Sequence, residues 1–546
     1  MGGFTLVLLA LAALLYPTFT LPLSRGEAMY AQIPLEMLTT GQLMTPTLNG
    51  VPYLEKPPLL YWLNLLSMKI CGPSEGAARV PTLALALGEI WLTWKLGALL
   101  LKPAAAWWGG FILLTSIGFF YLHTQLFTDH LITFTLMASL YAQLRWLSEP
   151  KGRWVVLFHG AMGLGYLAKG PIGVGFPAVT TLLFSWLGKR PQVRRLLFHP
   201  GGLALSALII LPWLGAMAWW HPGFLWHHLV TEHLVRLGGT RQPGGVSMLS
   251  APVFWFFLAL WLLPWTFLLP QALWRFFQDA AQVTGEAKRL LFIWPAVVLT
   301  VFSLSGTRIE YYSLPAFPAL ALILGWQVHH IQETGRSHSL MAALWTLGFM
   351  GLLSFGLPPL LEKLCAGNRV EFIGLFAQLP PLARQVGFFV PPLAFLGAFL
   401  ARRSPPRGLA AYGAIALGLL FFTCQALIIL APWRSDKVFG EWLRRQAGPQ
   451  DLVIMENLEE FELAASLIFY ARRPILLVQR HGLPRFLYPV PPEKNYLITP
   501  DKLQELWKGE TRVFLLVTEA APQAAFLSQG QVILASGPRS LIVNKE

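Results

Sequence analysis

The feature that most constrains this chain is a succession of long apolar stretches with almost no charge. The first charged residue is Arg25, and residues 4–23 form an uncharged run of apolar and small side chains. At about 1.5 Å per residue, such a run crosses a hydrocarbon core of about 30 Å. Further apolar stretches begin near Ala77, Ala104, His130, Val155, Pro171, Gly201, Pro252, Leu291, Tyr312, Leu340, Val386 and Leu409. The pattern predicts a polytopic α-helical membrane protein with about 13 transmembrane helices.

The low content of charged residues disfavours other classes of protein. Charged residues make up 12% of the chain and hydrophobic residues 55%, whereas soluble globular proteins carry roughly 25% charged residues. This composition excludes a disordered chain and, without a disulfide framework, a secreted mini-protein. The net charge of +14 does not indicate a soluble nucleic-acid binder, because such a protein would carry abundant surface charge. We therefore expect no nucleic-acid partner.

The first apolar run has two interpretations, a signal peptide or a transmembrane helix. It starts with Met1, Gly2 and Gly3 and so lacks the basic residues of a signal peptide, and no small-residue cleavage motif follows it. We interpret the run as an uncleaved first transmembrane helix.

Basic residues in the loops predict how the chain is oriented in the membrane. One set of short loops is rich in basic residues: Lys102, Arg145, Lys151, Arg153, Lys189, Arg190, Arg194, Arg195, Arg275, Lys288, Arg289, Arg336, Arg402, Arg403 and Arg407. The positive-inside rule places these loops in the cytoplasm. The N-terminus is then cytoplasmic, and the first outer loop, residues 24–76, faces outward.

The composition changes after the last apolar stretch. Residues 432–546 contain 27 charged residues in 115, against 41 in the first 431. Short strand-like apolar runs occur at residues 451–455, 512–518 and 531–535, with helical patterns between some of them. We predict a transmembrane domain over residues 1–431 and a small soluble α/β domain over residues 432–546, on the outer side.

The first outer loop contains the densest group of carboxylates, aromatic residues and prolines. Residues 27–38 have helical spacing, with Tyr30, Ile33 and Met37 on an apolar side. Such a helix would lie along the membrane surface, and an interfacial anchor is a sufficient explanation of it from composition alone.

Several motifs resemble those of a known family. They are Glu27-x-x-Tyr30-Ala31-x-Ile33, Asn49-Gly50, Glu55-Lys56-Pro57-Pro58-Leu59-x-Tyr61-Trp62, Ala78-Arg79-Val80-Pro81, Phe127-Thr128-Asp129, Ala168-Lys169-Gly170-Pro171, Ser305-Gly306-Thr307-Arg308 and Tyr312-Ser313-Leu314-Pro315. Together they resemble the bacterial aminoarabinose lipid A transferases, within the wider protein mannosyltransferase-like group. The resemblance extends to about residue 324, and its most specific part begins at Lys56.

The resemblance implies an integral-membrane glycosyltransferase of the C-type fold. Its donor would be a sugar on a polyprenyl phosphate such as undecaprenyl phosphate, and its acceptor a lipid, as in lipid A modification, or a protein. The sequence departs from the family at Gly26, where the family usually has the Asp that is favoured as the catalytic carboxylate. Either Glu27 or Asp129 then takes the catalytic role, or the acceptor chemistry differs.

The expected chemistry assigns roles to the other matched residues. A phosphate leaving group needs no proton, but it needs cations where negative charge develops. Candidates for binding the donor phosphate are Lys56, Arg79, Lys169, Arg308 and Tyr312, and candidates for lining the substrate cavity are Tyr30, Glu55 and Tyr61. An attacking hydroxyl also needs a carboxylate base, for which the candidates are Glu27 and Asp129.

Each of these residues also has a structural explanation. Glu27 and Asp129 suit the first turn of a helix. Lys169 suits a lysine that snorkels at the end of a span. Arg308 and Tyr312 suit an interfacial belt.

Histidines in the loop 221–249 offer a possible divalent metal site. His227, His228 and His233 could bind a metal together with Glu55. We favour the simpler alternative, an amphipathic loop helix with surface histidines.

Three functions remain open from the sequence. A glycosyl transfer is the leading one. A transporter or flippase for a lipid-linked substrate is disfavoured, because the carboxylates gather in outer loops while the spans are nearly free of charge. A non-catalytic membrane scaffold would leave the motif at Glu55 and Lys56 without a role.

Overall fold

The computed structural model describes residues 2–235, 238, 249–279, 283–356, 378–456, 461–478, 496–518 and 530–545. Its α-helices, α1 to α22 in chain order, are Gly2–Thr20, Arg25–Thr40, Leu59–Cys71, Glu75–Leu100, Pro103–Thr115, Ile117–His123, Thr128–Ser148, Gly152–Lys169, Pro171–Leu187, Pro191–Leu197, Pro200–Trp220, Phe224–Trp226, Ala251–Trp261, Leu269–Gln278, Gly285–Leu304, Phe317–Thr334, His338–Leu353, Pro380–Ala401, Pro405–Arg434, Lys437–Gln446, Ala465–Ala471 and Pro500–Lys508. A π-helix covers His227–Val235, and 3₁₀ turns cover Trp265–Leu268, Glu310–Ala316 and Phe461–Ala464.

The strands, β1 to β8 in chain order, are Thr47–Leu48, Val51–Pro52, Leu452–Glu456, Leu476–Val478, Leu497–Ile498, Val513–Thr518, Gln531–Ser536 and Arg539–Val543. The first two form a small antiparallel pair in the first outer loop, and the other six form one sheet.

The helices are those of a multi-pass membrane protein. Within the described residues, 6 helices are long and apolar enough to cross a membrane, or up to 9 if each of three bent helix pairs is one span. One of these pairs joins α1 to α2 at an angle of 67°. Other apolar helices, such as α3 and α9, are shorter than a full span. The total of about 13 helices therefore stays a prediction.

Contacts in the structure join some of the loops that the charge pattern groups together. Lys102 contacts Glu333 at 2.6 Å, and Arg190 contacts Glu286, so loops of the basic set meet one another. At the other end, the backbone N–H of Leu126 donates to Glu27 at 3.1 Å. Which end faces the cytoplasm stays a prediction from the positive-inside rule.

Helix α2 confirms the helix predicted for residues 27–38, but it is buried rather than exposed along one face. Glu27 accepts a hydrogen bond from the backbone N–H of Ser24 at 2.8 Å, which satisfies a donor that the first turn of a helix otherwise leaves open. Gly41 ends the helix in the left-handed conformation, with φ of 74°. Ten of its sixteen residues are buried, because α2 packs between α3 on one side and α21 of the C-terminal sheet region on the other.

The C-terminal region confirms the three strands that the sequence predicts. The sheet order is β5-β4-β3-β6-β8-β7. The first four strands in this order are parallel to one another, and β8 is antiparallel to both of its neighbours, β6 and β7. Helices cover both faces of the sheet. Trp442 of α20 packs against Phe514, and Trp507 of α22 shares an apolar cluster with Leu515.

This sheet region docks on the first outer loop. The side chain of Asn49 donates to the carbonyl of Ile475 at 2.9 Å and accepts from its N–H at 3.2 Å. The ammonium of Lys437 contacts Glu75 at 2.6 Å. The loop and the sheet region therefore lie at the same end of the helical bundle.

Candidate functional site

Glu27 and Arg79 form a fully buried ion pair. Arg79 donates to the two carboxylate oxygens at 2.6 and 3.2 Å, and both side chains are 0% exposed. Glu27 also accepts from the backbone N–H groups of Ser24 and Leu126. These four donors match the roughly four acceptor positions of a carboxylate. The pair ties the start of α2 to α4 and to the connection between α6 and α7.

The remaining donors of Arg79 are directed at the backbone between α1 and α2. Its guanidinium donates to the carbonyls of Leu21 at 2.6 Å, Pro22 at 3.0 Å and Thr18 at 3.5 Å. With the two bonds to Glu27, these contacts use all five N–H groups of the guanidinium. The geometry therefore explains how the chain turns sharply between its first two helices.

Asp129 and Lys169 form a second buried pair, at the start of α7 and the end of α8. The Lys169 Nζ lies 2.6 and 2.7 Å from the two carboxylate oxygens. It also lies 4.2 Å from the ring centroid of Tyr312, and 6.0 Å from that of Tyr311, within the range of cation–π attraction. Asp129 pairs with this cation, and α7 has no side-chain cap.

The backbone at Gly170 explains why a glycine follows Lys169. Gly170 has φ of 72°, a region that residues with a Cβ rarely adopt. A Cβ at this position would also lie 2.5 Å from Nε2 of His233. The chain therefore ends α8 and begins α9 at Pro171 in a way that brings Lys169 close to the histidine loop.

Aromatic residues of the first outer loop surround Glu55 and reach Asp129. The rings of Tyr30 and Tyr61 stack with centroids 5.9 Å apart. The Tyr30 hydroxyl shares a hydrogen bond with the side chain of Thr128, and the charges of Asp129 and Glu55 act on it. The structure thus brings Tyr30, Glu55, Tyr61 and Asp129 into one region.

Tyr53 links this region to the C-terminal sheet region. Its hydroxyl donates to Glu462 at 3.2 Å and lies 3.5 Å from Glu55. Burial, and then the charges of Glu55 and Glu462, raise the pKa of Tyr53 well above its ordinary value, so its hydroxyl stays a donor. Glu462 is absent from the sequence-based site, since it lies 409 residues from its partner and no local motif marks it.

Lys56 contacts the histidine loop. Its Nζ lies 3.6 Å from Glu232, and Nε2 of His227 lies 3.8 Å from the same carboxylate. Burial, and then the neighbouring His227, lower the pKa of His228 to about 4, and this ring stacks on Phe224 with centroids 5.3 Å apart.

The expectation of surface histidines in this loop is wrong, because the rings pack into the bundle. His227 is 5% exposed and His228 is 0% exposed. The set Glu55, His227, His228 and His233 does not form a group of ligand atoms in mutual reach within the described residues. Residues 236, 237 and 239–248 of the loop lie outside the described residues.

Arg308 lies next to the aromatic pair but binds backbone oxygens. It donates to the carbonyls of Leu249 at 2.8 Å and Ser303 at 3.0 Å, and to that of Ser305. The structure places Tyr311 and Tyr312 against Lys169, and these contacts connect the Arg308 segment to the Asp129 pair. The site therefore combines cations, phenol hydroxyls and carboxylates at one end of the bundle, which suits binding of an anionic, hydroxyl-rich ligand.

The fold and this arrangement define a polytopic membrane protein with the C-type glycosyltransferase fold. The structure matches the crystal structure of ArnT from Cupriavidus metallidurans bound to undecaprenyl phosphate with a TM-score of 0.82, at 19% identity, over 99% of this chain and 98% of that chain. The apo structure of the same protein matches with a TM-score of 0.82 at 18% identity, over 99% and 97% of the two chains.

The sequence of the chain is similar to one family model and to several curated glycosyltransferases. Residues 55–216 match the family model described as dolichyl-phosphate-mannose-protein mannosyltransferase. The chain is 29% identical to the undecaprenyl phosphate-alpha-4-amino-4-deoxy-L-arabinose arabinosyl transferase of Aeromonas salmonicida over 340 residues, 60% of each chain. It is 29% identical to that of Erwinia tasmaniensis over 334 residues, 59% of this chain and 58% of the relative. The chain thus spans about 60% of the length of these relatives, and the resemblance to aminoarabinose transferase-like glycosyltransferases is confirmed.

Proposed function

We propose that this protein transfers a sugar from undecaprenyl phosphate to a lipid acceptor of the lipid A type, at the periplasmic face of a bacterial inner membrane. The observation that carries the proposal is the buried Asp129–Lys169 pair against Tyr312. It lies at the loop-rich end of a fold shared with a protein whose structure holds undecaprenyl phosphate. The names of the curated relatives support an aminoarabinose donor as the first one to test.

Lys169 and Lys56 are the cations that we assign to the donor phosphate. Each is paired with a carboxylate, Asp129 or Glu232, so each can turn toward a phosphate without leaving the region. Two cations offset the charge that develops as the bond from the anomeric carbon to the phosphate oxygen breaks, and the electron pair leaves with the polyprenyl phosphate. Arg79 is not assigned to the phosphate, because its donors are used by Glu27 and the backbone.

Asp129 is the carboxylate that we assign to the acceptor. An acceptor hydroxyl that attacks the anomeric carbon gives its proton to this carboxylate, whereas an acceptor phosphate brings no proton and needs only positioning. Glu27 is assigned a positioning role, because four donors already occupy its oxygens. Tyr30 and Glu55 flank the same region and are assigned to the sugar hydroxyls.

Contacts between the first outer loop and the C-terminal sheet region support the proposed orientation of the chain in the membrane and the position of residues 432–546. The first outer loop and the sheet region contact each other through Asn49 and Ile475, so one face of the membrane carries both. The basic loops at the other end support a cytoplasmic N-terminus. We assign residues 432–546 to a periplasmic domain that covers the acceptor side of the site.

The test is lipid mass spectrometry of cells that lack the gene and are complemented with variants. We expect wild-type protein to restore a lipid that is heavier by one sugar, and Asp129→Asn and Lys169→Met to fail. The matched control is Asp436→Asn, another buried aspartate, paired with Arg539 at 2.6 Å, which should restore the lipid when its abundance on an immunoblot equals that of the wild type. Full modification by both site variants would refute the assignment, and a glycosylated protein in place of the lipid would change the acceptor class.

A further inference from the structure

A separate cluster of ionisable groups lies inside the bundle, where α4, α6 and the first turn of α7 meet. Glu89 of α4, His123 of α6 and His130 of α7 are 0%, 1% and 0% exposed. Their ligand atoms all lie within 4.8 Å of one another, and among the described residues this is the one set of three or more histidine, cysteine or acidic side chains that converges in this way. Glycosyl transfer as proposed above does not use any of the three.

The hydrogen bonds of the two histidines fix which ring nitrogen carries the proton. Nδ1 of His123 lies 2.8 Å from the carbonyl oxygen of Phe119, and Nε2 of His130 lies 3.2 Å from that of Gln125. A carbonyl oxygen only accepts, so each of these nitrogens carries the hydrogen. In the neutral rings, Nε2 of His123 and Nδ1 of His130 are then bare lone pairs.

With the carboxylate of Glu89 ionised, the cluster contains acceptors without a donor. Nε2 of His123 lies 3.5 Å from a carboxylate oxygen of Glu89. That nitrogen, Nδ1 of His130 and both oxygens of Glu89 have no hydrogen-bond partner among the described residues. Buried polar groups are nearly always satisfied, and lone pairs that face one another in a low dielectric repel. A cation at this position removes both problems at once.

We propose that Glu89, His123 and His130 bind a divalent transition-metal ion, with zinc as the best match. Two imidazoles and one carboxylate are a common zinc ligand set that leaves a fourth position open. Hydrogen bonds from metal-binding histidines to backbone carbonyls are the usual outer-shell contacts that orient such rings. Zn–N distances of about 2.0–2.1 Å place ligand atoms about 3.3 Å apart in a tetrahedral site. Glu89 and His123 already have nearly this spacing, 3.5 Å. The third ligand atom lies within 4.8 Å of the other two, so a side-chain shift of up to about 1.5 Å brings it into the same geometry.

The ion would join three helices next to the site described above. It links α4, α6 and the first turn of α7, and His130 directly follows Asp129. The α6–α7 connection also carries Leu126, which donates to Glu27. A metal here would thus act as a structural clamp that holds the beginning of α7 in place.

The test is the zinc content of the full-length protein purified in detergent. After removal of metal with a chelator and return of zinc alone, we expect one tightly held zinc per chain by elemental mass spectrometry. Glu89→Gln, His123→Asn and His130→Asn should each weaken zinc binding by more than the roughly 10–100-fold that the loss of an outer-shell partner costs. Zinc should raise the unfolding temperature of the wild type and not that of these variants.

His159 provides the matched control. It is also a buried histidine, but its nitrogens have partners, the hydroxyl of Ser206 at 3.2 Å and the carbonyl of Leu196 at 3.0 Å. His159→Asn should therefore keep the zinc, as should Glu55→Gln and His233→Asn, which test the loop histidines. If the ligand variants do not fold, cobalt-loaded wild type should show the visible absorption of a tetrahedral site with nitrogen and oxygen ligands. Wild type without zinc, or zinc retained in all three ligand variants, would overturn the proposal. A cluster that shares protons instead would show stability that depends on pH but not on zinc.

Discussion

The assignment of Glu27 to a structural role leads to a prediction that separates folding from chemistry. In Glu27→Gln, the amide oxygen can still accept from Ser24, but the amide NH₂ then faces the guanidinium of Arg79 and the N–H of Leu126. A buried cation is left without its partner. Removing one member of a buried ion pair costs about 3–5 kcal/mol of unfolding free energy. We expect a value near the upper end, because the new amide NH₂ faces two other donors, the Nε–H of Arg79 and the N–H of Leu126.

The double variant gives the internal control. Arg79→Met removes the uncompensated charge, so Glu27→Gln with Arg79→Met should cost less than the sum of the two single changes, by about 1–3 kcal/mol. Unfolding free energies of the four proteins would be measured by chemical denaturation in detergent micelles. Since both side chains are fully buried, this coupling should depend little on salt.

Activity per folded molecule then decides the role of Glu27. We expect Glu27→Gln to stay within about tenfold of the wild type, whereas Asp129→Asn should lose the about 10²–10⁴-fold that a general base contributes to a hydroxyl acceptor. A Glu27→Gln protein that is as stable as the wild type yet inactive would refute the reasoning and return the catalytic role to Glu27.

Three further predictions concern the surroundings of the site. Gly26→Asp should fold with unchanged or higher thermal stability in detergent. A Cβ at this position meets no atom within 4 Å, and an acidic residue in the first turn stabilises a helix by about 0.3–1 kcal/mol. A lower unfolding temperature would contradict this prediction. Burial lowers the pKa of His228 to about 4, so as the pH falls this histidine is protonated in the unfolded chain before it is protonated in the folded protein. The free energy of unfolding should therefore fall as the pH drops from about 6.5 toward 4, by at most about 3 kcal/mol. His228→Phe should flatten this part of the stability–pH curve, and an equal slope in both proteins would refute the prediction. Asn49→Ala removes two hydrogen bonds to Ile475 at a residue with a backbone φ of 54°, and should lower the free energy of unfolding by about 2–4 kcal/mol. The loss should appear as faster proteolytic release of the C-terminal region, and Asn49→Gly should cost less. Equal cleavage of both variants and the wild type would contradict the docking.

The strands of the C-terminal region follow from local properties of the sequence. The strands predicted at 451–455, 512–518 and 531–535 agree closely with those found at Leu452–Glu456, Val513–Thr518 and Gln531–Ser536. Each is a short β-branched or aliphatic run, and the tendency of such a run to form a strand is a local property. By contrast, the burial of ten of the sixteen residues of α2 was not predicted, because an amphipathic pattern predicts that one face is buried but not what covers it. The position of α2 along the membrane surface stays a prediction.

The histidine loop shows the same limit. Its pattern predicts an amphipathic helix with surface histidines, yet His227 and His228 are buried. The ring of His228 stacks on Phe224, and the rings of His228 and His233 approach Gly170 closely. Nothing in the sequence of the loop itself indicates that a glycine at the end of α8 leaves room for these rings.

The sequence by itself determined that the chain is a multi-pass membrane protein. Long uncharged runs must form helices in lipid, since backbone groups find no water there, and this requirement does not depend on what the helices contact. Only the tertiary structure decided the partners of the charges. Glu27 and Arg79 lie 52 residues apart, and Asp129 and Lys169 lie 40 apart. The packing of the helices decides that Glu27 binds a guanidinium and the backbone, whereas Asp129 binds a single lysine beside tyrosines. The reason is that electrostatic pairing depends on distance in space and on burial.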